Sequence, residues 1–415
     1  MKYTLGVNKK DDHTGNPPLK GRQEMQKNML LTFYLTFGAV GPKLGEIMSA
    51  GIALWTELLS RLLISLDAPE ALLSLIIDGI CSGVGSVLSF IPVIGVLFFC
   101  LSLLEEIGYL EMLARVMDKF LCRFGISGQI IVPLIMGFGC SVPAILAADE
   151  IKDKRAKSLA LALTPFMSCS AKLPLYGMMT SVFFPENAGL VTCLLYIIGI
   201  LLAVIAAVFS GKLLPASSGW ERVCCPQHSG FRLPDMERVV SCMWENICGF
   251  FRKAFTVILA ASVIIWFLEN YGTGLAPAAS PDQSLLAAAG KLAAPIFAPL
   301  GFGDWRAAAA LITGLSAKEA VVSTLTVMAE GVSMGGSTGI SLPIMLVQIF
   351  TPLSAFSFLV FCLLYAPCAA SMAAMAKTSG SIKHAFFTFV FQTALAWLAA
   401  FIIYNTGQIF NCFIY

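Results

Sequence analysis

Three cysteines lie beside glycine and proline residues in otherwise apolar parts of this 415-residue chain. Cys140 follows Gly-Phe-Gly, Cys169 ends the stretch Pro-Phe-Met-Ser-Cys, and Cys368 follows Tyr-Ala-Pro. Glycine and proline interrupt helices, and inside a membrane the freed backbone groups must face protein or a water-filled path. The three cysteines are therefore predicted to line such a path, although each one alone also fits a small buried apolar residue.

The sulfur atoms at these positions indicate which ligand the path would carry. Thiolate and thioether groups bind the softer transition metals, such as Fe(II), Zn(II) and Cu(I). Met136 and Met167 lie close in sequence to the first two cysteines. The chain has only three histidines, so a histidine-rich zinc site is not expected. The stretch CCPQH (224–228) has no second pair of ligands at metal-binding spacing and is a weak candidate.

Ionisable side chains also occur inside the apolar stretches, where a charge is costly and marks a pathway or a paired interior role. These side chains are Asp78, Lys172, Lys318 and Glu319. Lys318 and Glu319 are neighbours, so on a helix they face different sides and need separate partners. The alternative for Glu319 is a structural pair with a cation of another helix. Glu105 and Glu106 begin a charged stretch and are candidates for an entry site or a gate.

The composition indicates a membrane protein. Hydrophobic residues make up 57% of the chain and charged residues 13%, whereas soluble domains carry about 25% charged residues. Several separate apolar runs approach the about 20 residues that a spanning helix needs. The net charge of +2 gives no reason to expect a nucleic-acid partner. Most of the cysteines lie in apolar runs, which is not the framework of a small disulfide-bonded secreted protein.

Four parts of the chain differ in composition. Residues 1–28 form a polar tail without the pattern of a signal peptide. Residues 29–210 form a first transmembrane half, and residues 254–415 form a second one. Between them, residues 211–253 are polar and basic, which predicts a cytoplasmic loop that ends in an amphipathic helix. We expect about eight to eleven membrane elements, some of them half-helices.

The two halves resemble each other in sequence. Residues 124–146 line up with residues 300–325, and residues 164–174 line up with residues 365–373. Duplicated halves with interrupted apolar segments are typical of secondary transporters. The predicted fold is therefore an all-α, polytopic transmembrane helix bundle with two internal repeats and broken or re-entrant helices. Besides the cysteines and charged groups, the residues predicted to line the path or its gates are Met136, Gly137, Gly139, Ser141, Pro143, Pro165, Met167, Ser168, Lys172, Gly314, Lys318, Tyr365 and Pro367.

These features resemble the membrane portion of the ferrous iron transport protein B family, FeoB. The resemblance extends in order over residues 30–410, and the elements Gly-Phe-Gly-Cys and Pro-Phe-Met-Ser-Cys are specific to it. The paired gate repeats of that family fit the duplication, and they also resemble the gate domains of nucleoside transporters. The stretches that carry the resemblance are 103–147, 164–177, 231–268, 312–325 and 363–375.

The resemblance implies a non-enzymatic, multi-pass protein of the cytoplasmic (inner) membrane that takes up Fe²⁺ as its transported substrate. The metal-binding residues it implies are Cys140, Cys169, Cys368, Glu319, Glu105 and Glu106. Members of the family begin with a G domain, but this chain has no GxxxxGK[ST] loop, so no GTP site is expected in it. A separate G protein, a small cytoplasmic accessory protein, a homo-oligomer and the lipid bilayer are the expected partners. A truncated chain or a changed role would also explain the missing G domain.

Ser141 stands where the family usually has asparagine, and it keeps an oxygen ligand while losing the amide. In the mechanism expected here, Fe²⁺ binds near the bilayer midplane between the repeats and passes by alternating access or gated conduction. Two other functions remain open. One is a gate-type transporter of a nucleoside or another small solute. The other is a non-transporting membrane partner that senses metal, for which residues 211–253 are the only support.

Overall fold

Helices form the regular structure of the part of the chain that the computed structural model describes, which comprises residues 40–66, 69–107, 127–151, 153–213, 235–272, 274, 276–278, 280–331 and 341–414. Within those residues, strand-like pairing is limited to isolated bridges between Tyr271 and Pro277 and between Gly272 and Ser284. In a membrane, helices satisfy all their backbone hydrogen bonds within one segment. The predicted all-α fold is confirmed.

The numbered helices up to residue 213 are α1 (Val40–Ser65), α2 (Ser82–Glu106), α3 (Ile131–Gly139), α4 (Ser141–Ala147), α5 (Lys154–Leu163), α6 (Leu173–Phe183) and α7 (Ala188–Leu213). Two of them, α3 and α4, are short and meet at Cys140. The later helices are α8 (Met236–Asn270), α9 (Leu285–Phe297), α10 (Trp305–Thr313), α11 (Ala320–Gly331), α12 (Leu342–Ile349), α13 (Pro352–Leu364), α14 (Ala369–Ser379) and α15 (Ile382–Ile414).

Four helical segments among the described residues are long and apolar enough to cross a membrane. They are Lys43–Ser65, Ala188–Val208, Pro352–Ser379 and Ile382–Ile409. The segments Leu285–Leu300 and Trp305–Thr313 meet at a bend of 106°. If the two are counted as one bent segment, they form a fifth candidate span. Shorter apolar helices accompany them, as expected for broken elements. The chain is thus a multi-pass membrane protein.

The segment Pro352–Ser379 runs through the centre of the molecule, with 78% of its most apolar window buried, whereas α1 has none of its window buried. A helix that is apolar all round is buried in protein or faces lipid. In α13, Phe358 and Phe361 pack edge-on against Phe302, with ring centroids 5.2 and 5.9 Å apart. This aromatic cluster packs α13 against the segment that contains Phe302.

Two local predictions need correction. Glycine, serine and proline in the stretch 83–92 predict a break in the helix there, but α2 continues through Pro92 to Glu106, and the irregular turn is the π-helix Leu75–Cys81 before it. A single proline in a membrane helix bends it without ending it when neighbouring groups satisfy the freed carbonyl. Residues 236–254 and the span after them form one helix, α8, which Asp235 caps through the backbone N–H of Glu237.

Several predicted features lie outside the described residues. They are the tail 1–28, most of the charged stretch that follows Glu106, the loop with CCPQH (224–228), and the side chains of Asp78 and Glu105. The division of the chain into a tail, two transmembrane halves and a basic loop stays a prediction.

Candidate metal site

Four interruptions of the helices contain the residues that the sequence singled out. Cys140 lies between α3 and α4 in extended backbone, with φ −152° and ψ 132°. Cys169 and Cys368 are also extended, with ψ 159° in each, and they precede Ser170–Lys172 and α14 respectively. The fourth interruption is the turn 314–319 between α10 and α11. The structure therefore places each of the three predicted thiols at a break.

Proline explains why two of the breaks form. A helical carbonyl needs the N–H of the fourth residue after it, and proline has no N–H. Pro143 is the fourth residue after Gly139, and Pro367 is the fourth residue after Leu363. Each freed carbonyl accepts a hydrogen bond from a side chain that lies elsewhere in the sequence. Ser170 Oγ donates to Gly139 O at 3.0 Å, and Lys172 Nζ donates to Leu363 O at 2.7 Å.

We predict that Ser170→Ala lowers the stability of the chain, because it leaves the Gly139 carbonyl without a donor. A partly buried acceptor left unsatisfied costs about 1–3 kcal/mol. The measurement is the midpoint of denaturant unfolding in detergent micelles. The matched control is Ser181→Ala, because the Ser181 hydroxyl is exposed and bonds to Met178 O of its own helix at 2.9 Å. Equal midpoints for the two variants would contradict the proposed role of Ser170.

Glycine allows the two breaks of each half to approach closely. A Cβ atom on Gly137 would lie 3.1 Å from both the Cβ of Met167 and the carbonyl oxygen of Thr164. A Cβ atom on Gly314 would collide with the hydroxyl of Tyr365. In the second half, the backbone N–H of Ala369 also donates to Leu315 O at 2.8 Å. Close contacts therefore join the break at Cys140 to the break at Cys169, and the turn 314–319 to the break at Cys368.

The three thiols lie in one region of the structure. Cys140 and Cys368 both pack against the buried apolar cluster that includes Val142 and Ala370, and Ser170, which follows Cys169, donates to the carbonyl of Gly139, which precedes Cys140. The Cys368 sulfur lies 3.1 Å from Ser371 Oγ. Among the described residues, no group of three His, Cys, Asp or Glu side chains is arranged to hold a metal ion. The structure therefore brings the predicted ligands into one region, and they are not in coordination geometry with each other.

Two buried lysines contact the backbone at the last break. Lys172 Nζ donates to Leu363 O and lies 3.5 Å from Met167 O. Lys318 Nζ donates to Ala366 O at 2.6 Å and lies 3.2 Å from the centroid of the Tyr365 ring. Neither lysine forms a salt bridge within the described residues. Backbone oxygens and an aromatic face stabilise these two ammonium groups.

The remaining predicted residues lie in or beside the breaks, except Glu105 and Glu106 of α2. Glu106 instead forms an ion pair with Arg238 of α8, with 3.4 Å between the paired atoms. Ser168 donates to the hydroxyl of Tyr176 at 3.0 Å. Ser141 is half-buried, and the predicted lining residues that are buried are Met136, Gly137, Gly139, Pro143, Pro165, Met167, Ser168, Gly314, Tyr365 and Pro367.

Sequence reasoning missed several groups at this site. Cys362 is buried in α13 and directly precedes Leu363, whose carbonyl accepts from Lys172. Ser170 and the carbonyl oxygens of Leu363 and Ala366 were also missed. The proline four residues after a carbonyl was an available signal for Leu363. No local signal identifies the lysine that reaches it, because the two residues are 191 positions apart.

Comparison with known proteins shows what the chain is similar to. Residues 87–183 and 251–382, more than half of the chain, match the family model Gate, which is described as nucleoside recognition. The chain is 38% identical to the Fe(2+) transporter FeoB of Staphylococcus aureus (strain MSSA476) over 385 residues, which cover 92% of this chain and 56% of that protein. It is 34% identical over 387 residues to the Fe(2+) transporter FeoB of Methanocaldococcus jannaschii, with 91% of this chain and 56% of that protein covered.

A third relative is a fusion of two proteins. The chain is 36% identical over 378 residues to the Fe(2+) transport protein A/Fe(2+) transporter FeoB fusion protein of Porphyromonas gingivalis, covering 81% of this chain and 44% of that protein. The chain thus spans about half the length of these relatives. All three are named as transporters, which supports a non-enzymatic protein, and their similarity confirms the predicted resemblance to FeoB. No solved structure matches the chain.

Proposed function

Because this chain belongs to the Gate (nucleoside recognition) family, we propose that it is a membrane transporter that carries Fe²⁺ across the cytoplasmic membrane. The observation that carries the proposal is the convergence of Cys140, Cys169 and Cys368 at helix breaks of both halves. Thiol ligands favour borderline and soft metals over Mg²⁺ and Ca²⁺. The names of the FeoB relatives support Fe²⁺ among the metals that thiols bind.

The breaks suggest how the metal passes. Fe²⁺ binds between the two halves, where thiols replace part of its hydration shell. Glu319 follows Lys318, whose side chain donates to Ala366 O beside the break at Cys368, and it is the proposed carboxylate ligand in this region. The thiols approach coordination distance when one half moves relative to the other, and the metal leaves when they separate. Alternating access and gated conduction are both consistent with this arrangement.

Partners complete the proposed system. The fusion of transport protein A to FeoB in one relative supports a small cytoplasmic accessory protein as a partner of this chain. A G protein, whether separate or covalently joined, supplies the coupling to GTP. Self-association into a homo-oligomer in the lipid bilayer is a further part of the proposal. The membrane is the cytoplasmic one, and the basic segment 211–253 faces the cytoplasm, in keeping with its excess of Lys and Arg.

A second candidate is transport of a nucleoside, which the description of the family model favours. Nucleosides are recognised through hydrogen bonds, and hydroxyl groups do occur near the breaks. Ser168 and Tyr176 are already bonded to each other, and Ser170 bonds to Gly139 O. Few polar side chains there are left to recognise a base or a ribose, so Fe²⁺ remains the preferred substrate.

Uptake by the purified chain tests this proposal. In anaerobic proteoliposomes, radioactive Fe²⁺ is expected to accumulate saturably, and Cys140→Ser is expected to reduce the uptake by at least about tenfold, because loss of an outer-shell partner of a metal ligand already lowers metal affinity about 10–100-fold. The matched control is Cys193→Ser, because Cys193 is exposed on α7. Saturable uptake of a labelled nucleoside instead of Fe²⁺ would favour the second candidate. Equal Fe²⁺ uptake by both variants would exclude a role for the Cys140 thiol.

A further inference from the structure

The two buried lysines occupy oxygen atoms that a broken helix would otherwise offer to a cation. Unwound carbonyls and the C-terminal ends of half-helices coordinate cations in membrane transporters. At the end of α13, Leu363 O accepts from Lys172 Nζ at 2.7 Å, and Ala366 O accepts from Lys318 Nζ at 2.6 Å. Both lysines are buried. The chain therefore holds its own two cations at this break.

No carboxylate in the described residues forms a salt bridge with either lysine. A free cation that enters this region finds Leu363 O and Ala366 O already accepting hydrogen bonds from lysine side chains, and each lysine that carries its proton also repels it. It gains binding energy only from a ligand that the lysines do not occupy, and the thiols are such ligands.

We propose that Lys172 and Lys318 determine the cation selectivity of the path by excluding hard cations from the carbonyl oxygens at the end of α13. This inference rests on the proposed function, because it assigns the residues that set the substrate class of the same site. Mg²⁺ and Na⁺ bind through oxygen ligands and gain little from sulfur. Fe²⁺ and Zn²⁺ bond strongly to thiolate, and this bonding offsets repulsion from the two ammonium groups.

Transport by Lys172→Met and Lys318→Met variants tests the selectivity. In proteoliposomes, each variant is expected to lower the ratio of Fe²⁺ uptake to Mg²⁺ uptake by about tenfold or more, because juxtaposed like charges change affinity by more than one decade. The ratio is expected to fall through a rise in Mg²⁺ uptake. Lys318→Arg, which keeps the charge, is expected to retain the ratio of the unmodified chain.

The matched control is Lys291→Met. Lys291 Nζ also donates to a backbone carbonyl, that of Asp282 at 2.9 Å, but it is exposed on α9. Its replacement is expected to leave the ratio unchanged. An unchanged ratio in folded Lys172→Met and Lys318→Met would overturn the proposal. An equal change of the uptake ratio in Lys291→Met would also overturn the proposal.

An equilibrium measurement separates this inference from the proposed function. Mg²⁺ is expected to raise the unfolding temperature of the two methionine variants in detergent and to leave that of the unmodified chain unchanged, because ligands that bind only the folded state stabilise it. This readout needs no transport, so it decides the role of the lysines even when no protein carries Fe²⁺. If a methionine variant does not fold, Lys172→Leu and Lys318→Leu replace it, because leucine, like methionine, offers the carbonyl no donor. No Mg²⁺ stabilisation in any folded neutral variant would contradict the proposal.

Discussion

Replacing Cys140, Cys169 and Cys368 together by serine is expected to lower the affinity of the chain for Fe²⁺ by more than about a hundredfold, since loss of a single second-shell partner already costs about 10–100-fold. The physical reason is that serine removes all three sulfur ligands from the breaks and keeps their size. The measurement is an anaerobic titration of the purified chain with Fe²⁺, which needs no transport. The titration is repeated at several pH values, so that the pH dependence of Fe²⁺ binding is measured too.

The pH dependence of Fe²⁺ binding is expected to change as well. A thiol loses its proton when it binds a metal, so the affinity of the unmodified chain rises with pH, and this slope is expected to disappear in the triple variant. The matched control is Cys193→Ser, which changes an exposed thiol and is expected to keep both affinity and slope. An unaltered Fe²⁺ titration in the folded triple variant would show that the thiols are not the ligands.

Gly314→Ala is expected to destabilise the chain and to reduce Fe²⁺ uptake sharply. The backbone at Gly314 has φ −62°, so alanine adopts it without strain. The added Cβ atom, however, collides with the hydroxyl of Tyr365 and with Val321. Overpacking of a buried site costs about 1–3 kcal/mol. Displacing the Tyr365 ring also moves the break that holds Lys318, and a misplacement of about 1 Å can reduce a rate about 100-fold.

Two further variants test whether the collision with Tyr365 causes the loss of stability in Gly314→Ala. Gly177→Ala is the matched control, because a Cβ atom there meets nothing within 4 Å, and it is expected to be neutral or to stabilise α6 by up to about 1 kcal/mol. The Tyr365 hydroxyl is buried and lacks a hydrogen-bond partner in the described part of the chain. Tyr365→Phe is therefore expected to restore part of the stability of Gly314→Ala. Additive effects in this double-mutant cycle would contradict the proposed collision.

Composition and local chemistry were sufficient for the class of the molecule and for the positions of two breaks. With 13% charged residues, a chain of long apolar runs enters a membrane, and there the backbone satisfies its hydrogen bonds by forming helices. Proline lacks an N–H in every environment, so Pro143 and Pro367 indicated freed carbonyls without any knowledge of neighbours. The same reasoning was wrong at Pro92, where α2 continues to Glu106.

Pro92 lies in a continuous helix, whereas Pro143 and Pro367 lie at breaks, and this difference depends on tertiary contacts. The Gly139 carbonyl receives a donor from 31 residues away, and the Leu363 carbonyl receives one from 191 residues away. Donors at such separations are brought near only by the packed fold, so the sequence could not tell a broken helix from a bent one. Packing also decides that the span beginning at Pro352 is 78% buried and that α1 is exposed. The sequence by itself determined that thiols, lysines and breaks occur together in a membrane protein, because residue type and proline chemistry are local. Only the tertiary structure decided that Lys172 and Lys318 meet at one helix end, because that contact joins distant parts of the chain.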